Sequence, residues 1–460
     1  MSLRATLAVD AGKLAGIASR LGRRGGGTAI TGLVAERVHP GLLRELGRQL
    51  PGVTLVSGTN GKTTTTRLLA SILAAAGTPF VTNRTGSNLA RGVTGSLVAA
   101  AGPLGRLRLR ASSGLFEVDE ASLPAVARAL QPTVLVFTNL FRDQLDRYGE
   151  VDTVAALWRE ALAASPPDAT LVLNADDPSV AALADGWRGP VHWFGVDDAS
   201  FASAAAGASD ARWCQSCGGA FGYGLRFFAP VGHWRCEGCG RGRVPLGTSA
   251  TAVAFDLDSA RFVVTGLGGV TLQLTGLYNV YNALAAIAAA RVLAIEPAAV
   301  LRGLSASEAA FGRQERVVYR GRTLRILLCK NPAGANQVML LLAALARQGK
   351  GPLAVAAMLN DGFADGQDVS WIWDVDFEAL GDSVSAAFSG GVRAADMALR
   401  LTYAGWPSPI VAESPSGLLE ALVSHTPAGA DIFVMATYTA MLGLRAQLAR
   451  EGAVTPFWEG

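Results

Sequence analysis

Seven consecutive residues carry the clearest chemistry in the chain: Gly58-Thr59-Asn60-Gly61-Lys62-Thr63-Thr64. The glycines let backbone N–H groups wrap an anion. Lys62 offers a point charge to the β- and γ-phosphates of a nucleotide, and the Thr63 hydroxyl is a hard oxygen ligand for Mg²⁺. The G-x-x-G-K-T spacing is tighter than the general G-x-x-x-x-G-K-[ST] form unless Val56 is counted as its first position. The setting favours a nucleotide site over an ordinary turn: a β-branched apolar run, Val53-Thr54-Leu55-Val56, enters the loop and a helix-like segment over 67–73 leaves it.

Three carboxylates, Glu117, Asp119 and Glu120, close the apolar stretch that begins at Gly114. Acids at a strand's end in a parallel sheet can reach the Mg²⁺ of a bound nucleotide; the alternative is a solvated acidic turn. Sulfur forms another group. Cys214 and Cys217 make one C-x-x-C pair, Cys236 and Cys239 a second, with 18 residues between them. Two such knuckles complete a tetrahedral Zn²⁺ site, and four protein ligands would leave it closed and structural. Gly218, Gly219 and Gly240 follow the pairs, as turns around a metal favour, and His233 is a bystander. Cys329 stands alone and is expected to be a buried thiol. Asn279 and Asn282 share a helical face at i, i+3, where their amides could read a purine, hold phosphate, or serve only as a cap and a surface residue. The densest polar cluster runs from Asn360 to Asp374, acids interleaved with glycine and large aromatics. It is expected to be a surface loop with a docking or catalytic role, or a plain run of Asx turns.

These groups need a scaffold. Strand candidates at 80–81, 133–137 and 169–173 each pass into polar residues and are separated by helical lengths. That rhythm predicts a doubly wound α/β sheet with its ligands beyond the carboxyl ends of the strands. An Ala-rich helix is predicted over 283–292. At 460 residues, two or three domains are expected: an N-terminal segment 1–45, a central domain 46–310 interrupted by the cysteine ribbon at about 205–245, and a C-terminal α/β domain 311–460. Half the residues are hydrophobic, with Ala and Gly prominent, which suits tightly packed α/β layers. A net charge of +3 gives no footprint for a nucleic-acid partner. The basic, Gly-rich stretch Arg23–Thr28 is expected to be a loop, with a phosphate or lipid-headgroup contact as the weaker alternative, and peripheral contact with a membrane-borne substrate stays open. No uninterrupted apolar run approaches the length of a membrane span, and no long apolar segment precedes Asp10 to act as a signal peptide. A cytoplasmic protein is expected, and paired cysteines in a reducing compartment suit metal rather than disulfides.

Taken together, Gly58–Thr64, Glu117, Thr138-Asn139-Leu140, Asn174–Pro178, Gly276–Asn282 and Phe311–Arg316 resemble the Mur ligase family, ATP-dependent enzymes that join an amine to a carboxylate. The resemblance covers most of the chain from about residue 50 onward. It implies a Mur-ligase-like central P-loop ATPase domain carrying an inserted four-cysteine zinc ribbon, and a C-terminal Rossmann-like α/β domain. The ribbon, Lys330-Asn331-Pro332-Ala333-Gly334 and the Asp365–Asp374 segment narrow it to the branch that supplies the synthetase subunit of lipid II isoglutaminyl synthase. That branch implies ATP, Mg²⁺ and Zn²⁺, a glutaminase partner of the GatD type, and amidation of a D-glutamate α-carboxylate in lipid II through an acyl phosphate. By resemblance, Lys62 and the loop Gly58, Thr59, Asn60, Gly61, Thr63 and Thr64 take the phosphates, Thr63 and Glu117 hold Mg²⁺, and Asn279, Asn282 and Arg313 add nucleotide contacts. Asp368, with Asp365 as the alternative, is lent to the partner's Cys–His pair. Two departures stand out: Asp143-Gln144 where the family usually has Asp-His, and Tyr278-Asn279 where it usually has His-Asn. Both fit a branch whose nucleophile is ammonia. A folylpolyglutamate-synthase-like ligase would share the nucleotide motifs without needing the ribbon, and a zinc-ribbon nucleotide switch would turn over ATP without an acceptor.

Overall fold

The computed structural model describes residues 2–21, 28–83, 87–107, 113–141, 151–201, 213–307 and 313–455. Most of the basic elbow after Leu21, the tip of the polar loop at 84–86, Asp143-Gln144 and Phe311-Gly312 lie outside them. Strands form at the apolar runs: β1 (Val53–Ser57), β2 (Phe80–Thr82), β3 (Ser113–Glu117), β4 (Val134–Phe137), β5 (Thr170–Asn174) and β6 (Val191–Val196). After the ribbon hairpin β7 (Phe221–Phe228) and β8 (Val231–Cys236) come β9 (Thr248–Phe255), β10 (Ala260–Val264) and β11 (Gly268–Leu272). The C-terminal strands are β12 (Arg313–Tyr319), β13 (Arg322–Leu328), β14 (Leu353–Met358), β15 (Val384–Gly390), β16 (Ile410–Ala412) and β17 (Asp431–Ala436).

The first sheet has nine strands in the order β11-β10-β9-β6-β5-β4-β1-β3-β2. From β2 to β9 neighbouring strands are parallel, and β1 and β4 are buried at every residue, as continuous apolar runs covered on both faces must be. The antiparallel edge behaves differently: β10 alternates buried Ala260, Phe262 and Val264 with exposed Arg261 and Val263, leaving one face solvated. The chain leaves β1 for the β2 edge, returns as β3 on one flank of β1, and crosses to β4 on the other. The strand order reverses around β1, which puts a ligand crevice at its carboxyl end.

Helix Leu277–Val292 lies across β4, β5, β6 and β9 and against helix Lys62–Ala75. Its alanines are fully buried, and their small size lets helix and sheet approach closely. The second sheet, β12-β13-β17-β14-β15-β16, is parallel apart from β12. Helix Pro332–Leu345 leaves β13 and packs on β7, β9 and helix Leu277–Val292, so the two α/β units share one continuous apolar core. At the amino end, helices Leu3–Leu21 and Thr28–Val38 pack on each other and on helix Ala90–Ala100. Among the described residues no helix is long and apolar enough to cross a membrane.

Candidate functional site

Gly58 through Gly61 form the turn between β1 and helix Lys62–Ala75. Two of its positions accept only glycine. At Gly58 (φ +145°) a Cβ would fall 1.9 Å from Thr138 Oγ1, and at Gly61 (φ +86°) it would fall 2.0 Å from Asn282 Oδ1. The loop's shape is set by the segment that follows β4. Thr138 Oγ1 and Asn139 Nδ2 donate to the Asn60 carbonyl at 2.7 and 3.0 Å, and Asn139 Oδ1 accepts from the Asn60 N–H at 2.8 Å. The Thr59 N–H donates to the Asn139 carbonyl, while Thr59 Oγ1 bridges the N–H and carbonyl of Phe141. That segment is held in turn by the end of β5: Asn174 donates to the Thr138 carbonyl, and Asp177 accepts from the Leu140 N–H while capping the next short helix. The Thr-Asn-Leu and Asn-Ala-Asp-Asp-Pro motifs thus shape one phosphate loop at two removes.

Charge converges on the loop. Thr63 Oγ1 lies 3.0 Å from Glu117 Oε1, an oxygen pair suited to a hard divalent cation. Asn83 fixes Glu117 by bonding both its backbone N–H and its carbonyl. Lys62 Nζ is buried and donates to the carbonyls of Gly58 and Thr59 and to Glu120 Oε1, the last at 2.6 Å. Burial pushes the Glu120 carboxyl upward, opposed by the Lys62 ammonium. Glu120 stood in the acidic run without an assigned partner; its pairing with Lys62 appears only in three dimensions.

Beyond the loop a cleft opens between the two α/β units, lined by apolar walls and a few convergent amides. The central unit contributes Asn60, Gly61, Phe141, Phe228, Tyr281 and Asn282, and the C-terminal unit Lys330, Gly334 and Gln337. Asn282 Nδ2 donates to Asn279 Oδ1 at 3.2 Å, and Asn279 donates to the Thr275 carbonyl, so Asn279 stands behind Asn282 and orients it. Asn60 and Asn331 pair their side-chain amides across the cleft at 3.2 and 3.3 Å. Asn331 also caps helix Pro332–Leu345 through the Gly334 N–H. Gln337 is buried in the cleft wall and its Oε1 has no hydrogen-bond partner among the described residues. Nothing local in the sequence marks it. Arg313 opens β12, and its side chain lies outside the described residues.

The four ribbon cysteines come together, every thiol within 4.8 Å of the others. Tetrahedral Zn–S bonds of about 2.3 Å place sulfurs roughly 3.8 Å apart, so this donor set fits such an ion. Gly218 and Gly240 take the left-handed turns that end each knuckle. His233 faces away, its Nε2 on the Val196 carbonyl. The ribbon is wired into the cleft. Fully buried Asp176 accepts from Arg243, from the Tyr281 hydroxyl at 2.6 Å and from the Val196 N–H at 2.7 Å. Phe228, at the end of β7, packs edge-on against Phe141 and Tyr281. Cys329 is buried and its thiol is pushed up to about 12, which makes it inert as a nucleophile.

In the C-terminal unit Asp365 and Asp368 part company. Asp365 is buried and accepts from the Thr439 N–H and hydroxyl. Asp368 is exposed at the start of the 3₁₀ turn Val369–Asp374 and accepts from the Ser370 N–H.

Comparison with known proteins gives the class first. The Mur ligase middle domain matches residues 56–217 and the MurT ligase C-terminal domain residues 328–441. A pseudomurein peptide ligase type C from Methanothermus fervidus shares the fold with a TM-score of 0.65, at 21% identity, over 87% of this chain and 78% of that one. The chain is built as a Mur ligase. It is 35% identical over 98% of both lengths to the Streptococcus pneumoniae lipid II isoglutaminyl synthase (glutamine-hydrolyzing) subunit MurT. To the Staphylococcus aureus subunit of the same name it is 32% identical, over 89% of this chain and 90% of that one. The chain belongs to the MurT family of ligases.

Proposed function

We propose that this chain is the ATP-dependent synthetase subunit of a glutamine-fed amidotransferase, converting the D-glutamate α-carboxylate of lipid II to the amide in peptidoglycan synthesis. The observation that carries the reading is its likeness, over 98% of both lengths, to a lipid II isoglutaminyl synthase subunit. The ATP-binding unit is residues 46–310 and the unit that closes over it residues 311–460.

A carboxylate does not react usefully with ammonia at neutral pH. Its oxygen attacks the γ-phosphorus of ATP and ADP departs; ammonia then adds to the acyl carbon, and phosphate leaves with that oxygen. Lys62 and the N–H groups of Gly58–Thr64 stabilise charge developing on the transferring phosphoryl. Thr63 and Glu117 would hold a Mg²⁺, which would offset negative charge on the nucleotide's phosphates. Asn282, oriented by Asn279, and Arg313 complete the nucleotide contacts, and the C-terminal unit keeps water from an acyl phosphate that water would destroy. Cys214, Cys217, Cys236 and Cys239 hold a structural Zn²⁺.

Ammonia comes from a GatD-type glutaminase. Asp368 orients that partner's Cys–His pair, as a third group does in a triad. Its exposure favours it over buried Asp365, and Phe363, Trp373 and Tyr403 lie exposed in the same unit as apolar contact surface. The reaction belongs on the cytoplasmic side, where ATP is available. The test is amidation of lipid II by the purified chain. Free ammonia should suffice with ATP, whereas glutamine should serve only with the co-expressed glutaminase. Addition of an amino acid, or ATP hydrolysis without an acceptor, would replace this reading with an ordinary ligase or a nucleotide switch.

A further inference from the structure

Helix Leu3–Leu21 presents two unlike faces. Ala5, Ala8 and Val9 are fully buried, and Gly12 meets the backbone of Thr31 and the side chain of Ala35 on helix Thr28–Val38. The opposite face carries Leu3, Leu7, Leu14 and Ile17 at exposures of 80, 56, 67 and 48%. Their spacings of four, seven and three residues put them on one stripe. Four large aliphatic side chains in a row exceed the scattered exposure normal on a protein surface.

Charge distinguishes this stripe from a seam for another protein helix. Residues 1–27 contain five basic side chains, Arg4, Lys13, Arg20, Arg23 and Arg24, against one acid, Asp10. The remaining chain has 35 basic and 36 acidic residues, so this segment holds more than the whole net charge of +3. Arg23 and Arg24 enter only as sequence charge. On the helix, Arg4 lies to one side of the stripe and Lys13 to the other, donating to the Val38 and Ala101 carbonyls, with Asp10 on the stripe itself. An apolar face bordered by cations is the pattern of a helix that lies in the plane of an anionic lipid surface.

We infer that the Leu3–Leu21 helix docks this protein on anionic bilayers through Leu3, Leu7, Leu14 and Ile17, a peripheral contact that holds the active cleft beside a lipid-linked acceptor. The inference rests on the proposed function for that acceptor, and its membrane contact is measured independently of it. The full chain should sediment with vesicles containing phosphatidylglycerol about tenfold more strongly than with pure phosphatidylcholine, and high salt should reverse this. Leu7→Glu with Leu14→Glu, checked by circular dichroism for an intact fold, should weaken the binding about tenfold or more and leave amidation of a soluble acceptor analogue unchanged. Asp10→Lys, which removes the one acid, should strengthen it. Sedimentation that ignores the lipid charge or the paired glutamates overturns the inference. So does a dimer that the paired glutamates split, because the occupant is then a second copy of the chain. Vesicle binding without amidation would instead sink the functional reading and leave this one standing.

Discussion

At Gly61 a single missing methyl group decides whether the loop exists. An alanine there would pay for a left-handed backbone, about 1–2 kcal/mol, and would displace Asn282 from its place on the phosphate loop. Gly61→Ala should therefore weaken binding of a fluorescent ATP analogue by at least about tenfold while circular dichroism stays native; unchanged affinity would show that Asn282 does not shape the loop. Asp368 is a different kind of residue, exposed at the start of the 3₁₀ turn Val369–Asp374. Asp368→Asn should abolish glutamine-dependent amidation and leave the ammonia-dependent rate within about twofold, because surface changes of this size disturb folding little. Retained glutamine-dependent turnover would hand the role to another acid. Lys62 is legible in sequence as a phosphate ligand, yet its resting partner is not: Glu120 lies 58 residues away, and only folding reveals the pair.

Among the elements, the ribbon sits over the carboxyl ends of β5 and β6, where Trp234 bonds the Ala175 carbonyl and His233 the Val196 carbonyl. Its hairpin supplies Phe228 to the cleft wall, and Arg243 reaches the same Asp176 that holds Tyr281. Chelating the Zn²⁺ proposed for the four cysteines should raise the dissociation constant for an ATP analogue before the far-ultraviolet spectrum changes. Metal release with unaltered nucleotide affinity would reduce the ribbon to a folding aid. The segment behind Asp368 has its own clamp. Buried Arg400 donates to the carbonyls of Ile372 and Val375 and grips both oxygens of Glu378. Those bonds hold the Glu378 carboxyl below its ordinary value of 4.5. A lowered folded-state pKa gives stability that is present above that ordinary value and is lost as pH falls through the folded one. Amide exchange over 369–379 should accelerate at that acidic end, and Glu378→Gln should remove the dependence. A flat profile in the wild-type chain would mean that the clamp does not rest on this carboxylate.

At the scale of the molecule, the parallel strands, the phosphate loop and the paired cysteines were legible because each is written within a few neighbouring residues. The pairs that close the site were not. Asn60 meets Asn331 across 271 positions, and Tyr281 meets Asp176 across 105. No local periodicity encodes such contacts, and they depend on how two sheets pack about a shared core. The same packing places Asn279, expected to add a nucleotide contact or to serve only as a cap, between the Thr275 carbonyl and Asn282 Nδ2. In the proposed function the two units together transfer an oxygen from carboxylate to phosphate. The most direct measurement is amidation of lipid II labelled with ¹⁸O in its D-glutamate α-carboxylate, with mass spectrometry of the phosphate released. One ¹⁸O in inorganic phosphate for each amide formed, together with ADP, is the predicted result. Unlabelled phosphate, or AMP and pyrophosphate in place of ADP, would contradict activation of the carboxylate by the γ-phosphoryl group at this cleft.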